Sequence, residues 1–164
     1  MQVFTYYNSP SGTMLLEASG DALSGLWFLG QKHFPEKHPG CTDADSAPQI
    51  LNDTVQWLER YFAGERPDAS ELKLAPRGSD FQHRVWKILL GIAYGETITY
   101  GQIAKKLEQD SGRKVSAQAV GAAVGRNPIS VIIPCHRVIG ADGSLTGYAG
   151  GLEKKAALLE LEQG

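Results

Sequence analysis

Cysteine is nearly absent: 164 residues hold only Cys41 and Cys135, far apart in the chain. Two such thiols make no disulfide framework, and in a reducing compartment both read as free. No apolar run approaches the ~20 residues that a membrane helix requires, and the opening MQVFTYYNSP does not read as a secretory signal. A cytoplasmic protein that engages no membrane is therefore expected. Metal ligands are also sparse. His33, His38 and Cys41 are scattered through a Pro/Gly loop with no fourth partner at zinc spacing, so no metal is expected. Internal repeats and low-complexity tracts are missing. With 42% hydrophobic and 21% charged residues, the composition is that of a chain with a folded core.

A strong charge of one sign is lacking too, the net value being −2, but the distribution is uneven. Residues 1–79 carry 6 Lys and Arg against 10 Asp and Glu, whereas residues 80–164 carry 10 against 8. Within residues 99–137 the balance is 6 basic to 2 acidic. A polyanion could bind there by charge, although a surface stretch of this size is often mildly basic.

Turn clusters then divide the chain. VFTYY, TMLLEA and LSGLWFL, separated by NSPSG and SGDA, predict an antiparallel meander. In APQILNDTVQWLERYFAG, residues Ile50, Leu51, Val55, Leu58 and Phe62 recur at helical spacing and predict a helix covering one sheet face. Pro76 and Gly78 mark a boundary, giving domains over 1–78 and 79–164. Beyond it, Phe81, Val85, Trp86, Leu89 and Ile92 stripe a helix over 81–92. ITYGQIAKKL, a polar connection over 108–115 and an Ala/Gly-rich helix over 116–125 form a helix-turn-helix candidate. Ala117, Ala119, Gly121, Ala122 and Ala123 leave that second helix without bulk, so it can lie close to a groove wall or to another helix. ISVIIP predicts a buried strand, and a glycine-rich loop over 140–151 leads into a closing helix over 152–162. The expected fold is an α+β N-terminal domain of antiparallel sheet plus helix, followed by a mainly helical C-terminal domain with a helix-turn-helix.

The chemistry concentrates in VIIPCHRVIG, residues 131–140. Pro134 cannot donate to a ladder, so strand pairing should stop there and deliver Cys135 at the end of a rigid element. A free thiol, with a pKa of ~8.5, is only a few per cent thiolate near neutrality. It needs a base, and His136 is adjacent. Neighbouring side chains seldom converge, which makes a bridging water the natural relay. The histidine in turn wants a carboxylate to orient it; Glu162 is the leading candidate, with Glu160 in reserve. A lone buried cysteine is otherwise a small hydrophobe.

FQHRVWKILLGIAYGETITYGQIA, AVGAAVGRNPISVIIPCHRVIG and GYAGGLEKKAALL closely resemble the O6-alkylguanine-DNA alkyltransferases, strongly over roughly residues 80–162 and in element order alone before that. PCHRV is that family's active-site signature. The resemblance implies a ribonuclease-H-like front domain and a single irreversible transfer of alkyl from O6-alkylguanine to Cys135, restoring guanine. His136 would act as base through water, Glu162 would orient it, and Asn127 would brace the turn before the cysteine segment. Double-stranded DNA would be bound through its minor groove by the small-residue helix, with contacts from Ser116, Gln118, Ala119, Arg126 and Arg137, and the damaged nucleotide flipped out. Tyr100 would donate to the base, Val138, Tyr148 and Ala149 would line its pocket, and Lys155 would hold the active-site loop. No cofactor is implied, and the zinc cysteines of some members are absent. A monomer is expected, one that could line up cooperatively on DNA. One departure stands out: Gln118 occupies the place where the family usually has an arginine that fills the gap left by the flipped base. Competing readings are a non-repairing lesion binder, a cysteine hydrolase using Cys135, His136 and Glu162, and a helix-turn-helix regulator with an incidental thiol.

Overall fold

The computed structural model describes residues 2–35 and 47–164. The chain forms two compact units, Met1–Arg77 with Pro128–Ser130, and Gly78–Asn127 with Val131–Gly164.

The first unit is built on three antiparallel strands, β1 (Gln2–Ser9), β2 (Gly12–Ser19) and β3 (Ala22–Phe28), in that order. Every residue of β3 is buried, which explains why LSGLWF reads as a nearly continuous apolar run instead of alternating. Two further segments hydrogen-bond to β3. Leu23 N–H donates to Lys73 O at 2.8 Å and Ala75 N–H to Leu23 O at 2.7 Å. Leu26 N–H donates to Pro128 O at 2.8 Å and Ser130 N–H to Leu26 O at 2.9 Å. That second pairing is why residues 128–130, placed by sequence in the domain 79–164, belong to the first unit.

Helix α1 (Gln49–Phe62) buries Ile50, Leu51, Thr54, Trp57, Leu58 and Tyr61. The expected stripe through Val55 and Phe62 is thus rotated, and those two are half-buried. Polar atoms on the true face are satisfied locally: Thr54 Oγ1 donates to Ile50 O at 2.7 Å and Trp57 Nε1 to Asp68 O at 2.8 Å. Hydrophobicity alone could not register a face containing a threonine.

The second unit holds four helices and a short parallel pair. Helix α2 (Asp80–Leu90) starts at a capping box of Ser79 and Gln82, and α3 (Tyr100–Ser111) at one of Thr99 and Gln102. Strand β4 (Ile98–Thr99) pairs in parallel with β5 (Val138–Ile139). Helix α3 runs on to Gly112, whose left-handed φ of 70° ends it. The expected connection over 108–115 therefore shrinks, because residues 108–111 are helical. Helix α4 (Ala117–Gly125) is capped by Ser116, which accepts from Ala119 N–H at 3.0 Å. Helix α5 (Leu152–Gln163) closes the chain. Trp86 Nε1 donates to Ala123 O at 2.9 Å, joining α2 to α4.

One expectation fails. ISVIIP is not a strand: Ile129 makes an isolated bridge and residues 130–133 form a buried turn. Val131 adopts a φ of 70°, a conformation that costs a β-branched residue energy and breaks any extended run. Val131, Ile132 and Ile133 are nonetheless buried. The apolar pattern reported burial, not extension.

Candidate active site

Cys135 opens a 3-10 turn, Cys135–Arg137, that leads directly into β5. The thiol is thus held by a tight turn and not by a strand end. Its N–H donates to Ile133 O at 2.7 Å, and Arg137 N–H to Pro134 O at 3.0 Å. The side chain of Asn127, itself buried, donates from Nδ2 to Ile133 O at 2.8 Å and hydrogen-bonds the sulfur. Asn127 therefore braces both the turn and the thiol.

Burial pushes the Cys135 thiol up to about 11; the Asn127 side chain, the Lys155 charge and the N–H groups of Cys135 and His136 all work against that rise. At pH 7 only about one such thiol in ten thousand is ionised. Attack by sulfur therefore requires a base in place.

His136 is fully buried, and its Nε2 lies 2.5 Å from Glu162 Oε2. Burial lowers its pKa, against the opposing pull of Glu162 and with further lowering from Arg137 and Lys155, so the resting ring is neutral. Glu162 gathers four donors. Besides His136 it accepts from Arg137 Nε at 2.7 Å, from Arg137 Nη2 at 3.1 Å and from Gly95 N–H at 3.2 Å. An ionised carboxylate can only accept. The imidazole proton accordingly sits on Nε2, and Nδ1 is the basic nitrogen. Gly95 fits this cradle because its φ is 82° and a Cβ there would lie 3.1 Å from Glu162 O.

Lys155, also fully buried, donates from Nζ to Thr146 O at 2.7 Å. Burial lowers its pKa, and the Cys135 charge raises it. Tyr100 Oη donates to the same Thr146 carbonyl at 3.1 Å. Two elements, α3 and α5, thereby hold one point of the 140–151 loop. Val138 is buried in β5, while Tyr148 and Ala149 are half-buried in that loop.

Four of the remaining expected residues are solvent-exposed. Ser116, Gln118, Ala119 and Arg126 are exposed along α4 and at its two ends, and Gln118 lies opposite the face that buries Val120, Ala123 and Val124. Arg137 is the correction. Expected at the DNA surface, it is buried, with its guanidinium committed to Glu162 and, through Nη1, to Ile92 O at 2.6 Å. Glu160, the reserve for Glu162, is exposed. Among the described residues no cluster of His, Cys, Asp or Glu is arranged to hold a metal; His33 is exposed, and His38 and Cys41 lie outside the described residues. No helix among them is long and apolar enough to cross a membrane.

Comparison with known proteins bears directly on this arrangement. Residues 80–164 match the family described as 6-O-methylguanine DNA methyltransferase, DNA binding domain, and residues 2–76 match its ribonuclease-like domain. The chain belongs to the 6-O-methylguanine DNA methyltransferase family. A methylated-DNA–protein-cysteine methyltransferase of Mycobacterium tuberculosis is 47% identical over 156 residues, 95% of this chain and 89% of that protein. One of Haemophilus influenzae is 41% identical over 160 residues, 98% and 86%. The crystal structure of Mycobacterium tuberculosis OGT in complex with DNA superposes with a TM-score of 0.83 at 46% identity, covering 98% of this chain and 92% of that one. The resemblance carried by PCHRV and its flanks, and the fold expected from it, are borne out.

Sequence reasoning misses three contacts here: the one at the Thr146 carbonyl, the one from the Gly95 N–H and the pairing of Arg137 with Glu162. The first two involve backbone groups and leave no side-chain signature. Arg137 has one signal, its place directly after His136, but nothing in its spacing points to Glu162 across 25 residues.

Proposed function

We propose that the protein repairs DNA by transferring an alkyl group from O6-alkylguanine to Cys135, once per molecule. The observation that carries this reading is a buried thiol followed in the same turn by a buried histidine whose Nε2 is held by Glu162 at 2.5 Å.

The thiol proton passes to His136 Nδ1, through a water as the adjacent positions suggest, and Glu162 stabilises the imidazolium that forms. Sulfur attacks the alkyl carbon, an S–C bond forms, and the C–O6 bond breaks with its electron pair going to guanine. A proton then completes the purine. Asn127 hydrogen-bonds the sulfur, and the Lys155 charge favours its anion. A thioether is a poor leaving group, so the product is permanent and the protein is consumed.

The lesion's O6 is inaccessible within a base stack, and the nucleotide must be turned out of it. The exposed small-residue face of α4 suits close approach to a minor groove, with Ser116, Gln118, Ala119 and Arg126 at the duplex. Tyr100, Val138, Tyr148 and Ala149 line the pocket, and Lys155 secures the loop through Thr146. We read the protein as a cytoplasmic monomer that needs no cofactor.

The test is a duplex carrying one O6-methylguanine, followed by intact mass analysis. Repair gives a protein heavier by one methylene at Cys135 and at most one guanine restored per chain. A hydrolase would turn over, and a pure binder would gain no mass.

A further inference from the structure

Arg137 stands next to His136 yet reaches the carboxylate that holds it, and any role for this contact in repair rests on alkyl transfer at Cys135. The Arg137 guanidinium grips both oxygens of Glu162, Nε to Oε1 at 2.7 Å and Nη2 to Oε2 at 3.1 Å. Nη1 is fixed on Ile92 O at 2.6 Å, and Cζ lies 5.8 Å from the Tyr94 ring centroid. The side chain is 11% exposed, and each guanidinium nitrogen is already bonded within the protein.

We propose that Arg137 is a positioning residue for alkyl transfer, clamping Glu162 as an ionised acceptor so that His136 keeps its proton on Nε2 and presents Nδ1 as the base. A buried glutamate without a cation tends to take up a proton. It could then donate to Nε2, which would move the imidazole proton to Nδ1 and leave no base for the thiol. A planar two-point guanidinium prevents that, and fixes the carboxylate's orientation as a point charge cannot.

Arg137 also sets when His136 becomes charged. The charged groups acting on the ring are Glu162 and Lys155 of α5 and Arg137 of its own turn. Cys135 completes that turn, and α2, which packs against it, buries only Val85, Trp86 and Leu89. Arg137 and Lys155 both oppose a second proton on His136, whereas Glu162 favours it. Removing the Arg137 charge lets the His136–Glu162 pair take up one more proton at higher pH, whichever partner holds it, and the base is silenced there.

The experiment is the single-turnover rate of methyl transfer from a duplex with one O6-methylguanine, measured against pH for the wild type, Arg137→Lys and Arg137→Gln, alongside affinity for the same duplex. Arg137→Lys keeps the charge and loses the fork: the rate should fall about tenfold with the acid limb in place. Arg137→Gln should move the acid limb to higher pH, and both variants should bind DNA within about twofold of wild type. Wild-type rates and limbs in both variants would overturn the proposal. So would a uniform loss of rate in Arg137→Gln with the limb unmoved, which is the mark of a packing role, or a loss of affinity that accounts for the loss of rate. Should Arg137→Gln not fold, an undiminished rate in Arg137→Lys overturns it alone. A wild-type protein that takes up no methyl group would instead remove the functional reading itself.

Discussion

Glu162 Oε2 lies 2.5 Å from His136 Nε2, and both side chains are wholly buried. This contact assigns the two ring nitrogens different work. Nε2 carries the proton of that hydrogen bond, which leaves Nδ1 as the basic nitrogen for the proposed transfer.

Replacing that carboxylate with its amide tests the assignment. In Glu162→Gln the side chain keeps its shape but cannot stabilise an imidazolium, and transfer should slow by about a hundredfold. The His136 pKa, already lowered by burial, loses the attraction that Glu162 supplies. The acid limb of the rate profile should therefore move to lower pH, the direction opposite to that expected for Arg137→Gln. Stability should fall by about 3 kcal/mol, because the Arg137 charge is left buried without its partner. An unchanged rate profile would contradict the assignment.

The raised thiol pKa has a consequence for stability. An unfolded chain releases the Cys135 proton at the ordinary value of 9.0, while the folded protein holds it to about 11. Between those values the unfolded state binds fewer protons, so stability declines as pH rises, by about 3 kcal/mol in all. Below pH 9 the contribution is fully present. Lys155, with its pKa lowered by burial, acts in the reverse sense, which makes the difference between wild type and Cys135→Ser the informative quantity. Chemical denaturation across pH 8–11 should show the two curves converging. Parallel curves would mean that the thiol titrates normally.

Gln118 sits exposed near the start of α4, so substitution there should leave stability within about 0.5 kcal/mol. Gln118→Arg adds a charge and a stacking plane at the proposed DNA surface. Tighter duplex binding, a steeper dependence on salt by about one unit of slope and faster transfer are expected. Binding and rate indistinguishable from wild type would mean that position 118 does not face the duplex.

Methylation of Cys135 adds bulk at a residue that is 4% exposed. Overpacking of this kind costs about 1–3 kcal/mol, enough to lower the melting temperature by several degrees in a chain of this size. Thermal melts of the free and methylated proteins test this, and equal midpoints would contradict it.

How far the sequence can be read depends on what each residue's role requires. Ser79, Thr99 and Ser116 each accept a backbone N–H through their own side chains, so α4 starts one residue after the expected helix over 116–125. The grouping of His136 with Glu162, and of Asn127 with the Cys135 turn, is legible because side chains make those contacts. The segment 129–134 reads falsely as a strand because β-branched residues signal burial as readily as extension, and the left-handed turn at Val131 leaves no compositional mark. Arg137 misleads for a related reason. A basic residue in a basic stretch looks like a polyanion contact until its partner, 25 residues away, is folded against it. Thr54 escapes notice on α1 because its hydroxyl is satisfied within the helix, a compensation that a hydrophobic pattern does not register.

The central claim is that carbon moves from a damaged base to sulfur at position 135 and stays there. The most direct measurement is intact mass and peptide mapping after incubation with a duplex bearing one O6-methylguanine, for wild type and Cys135→Ser in parallel. One methylene added at Cys135, matched by no more than one guanine restored per chain, and no repair by Cys135→Ser, is the predicted result. Restoration of guanine by the serine variant, or repeated turnover by a wild type of unaltered mass, would contradict it.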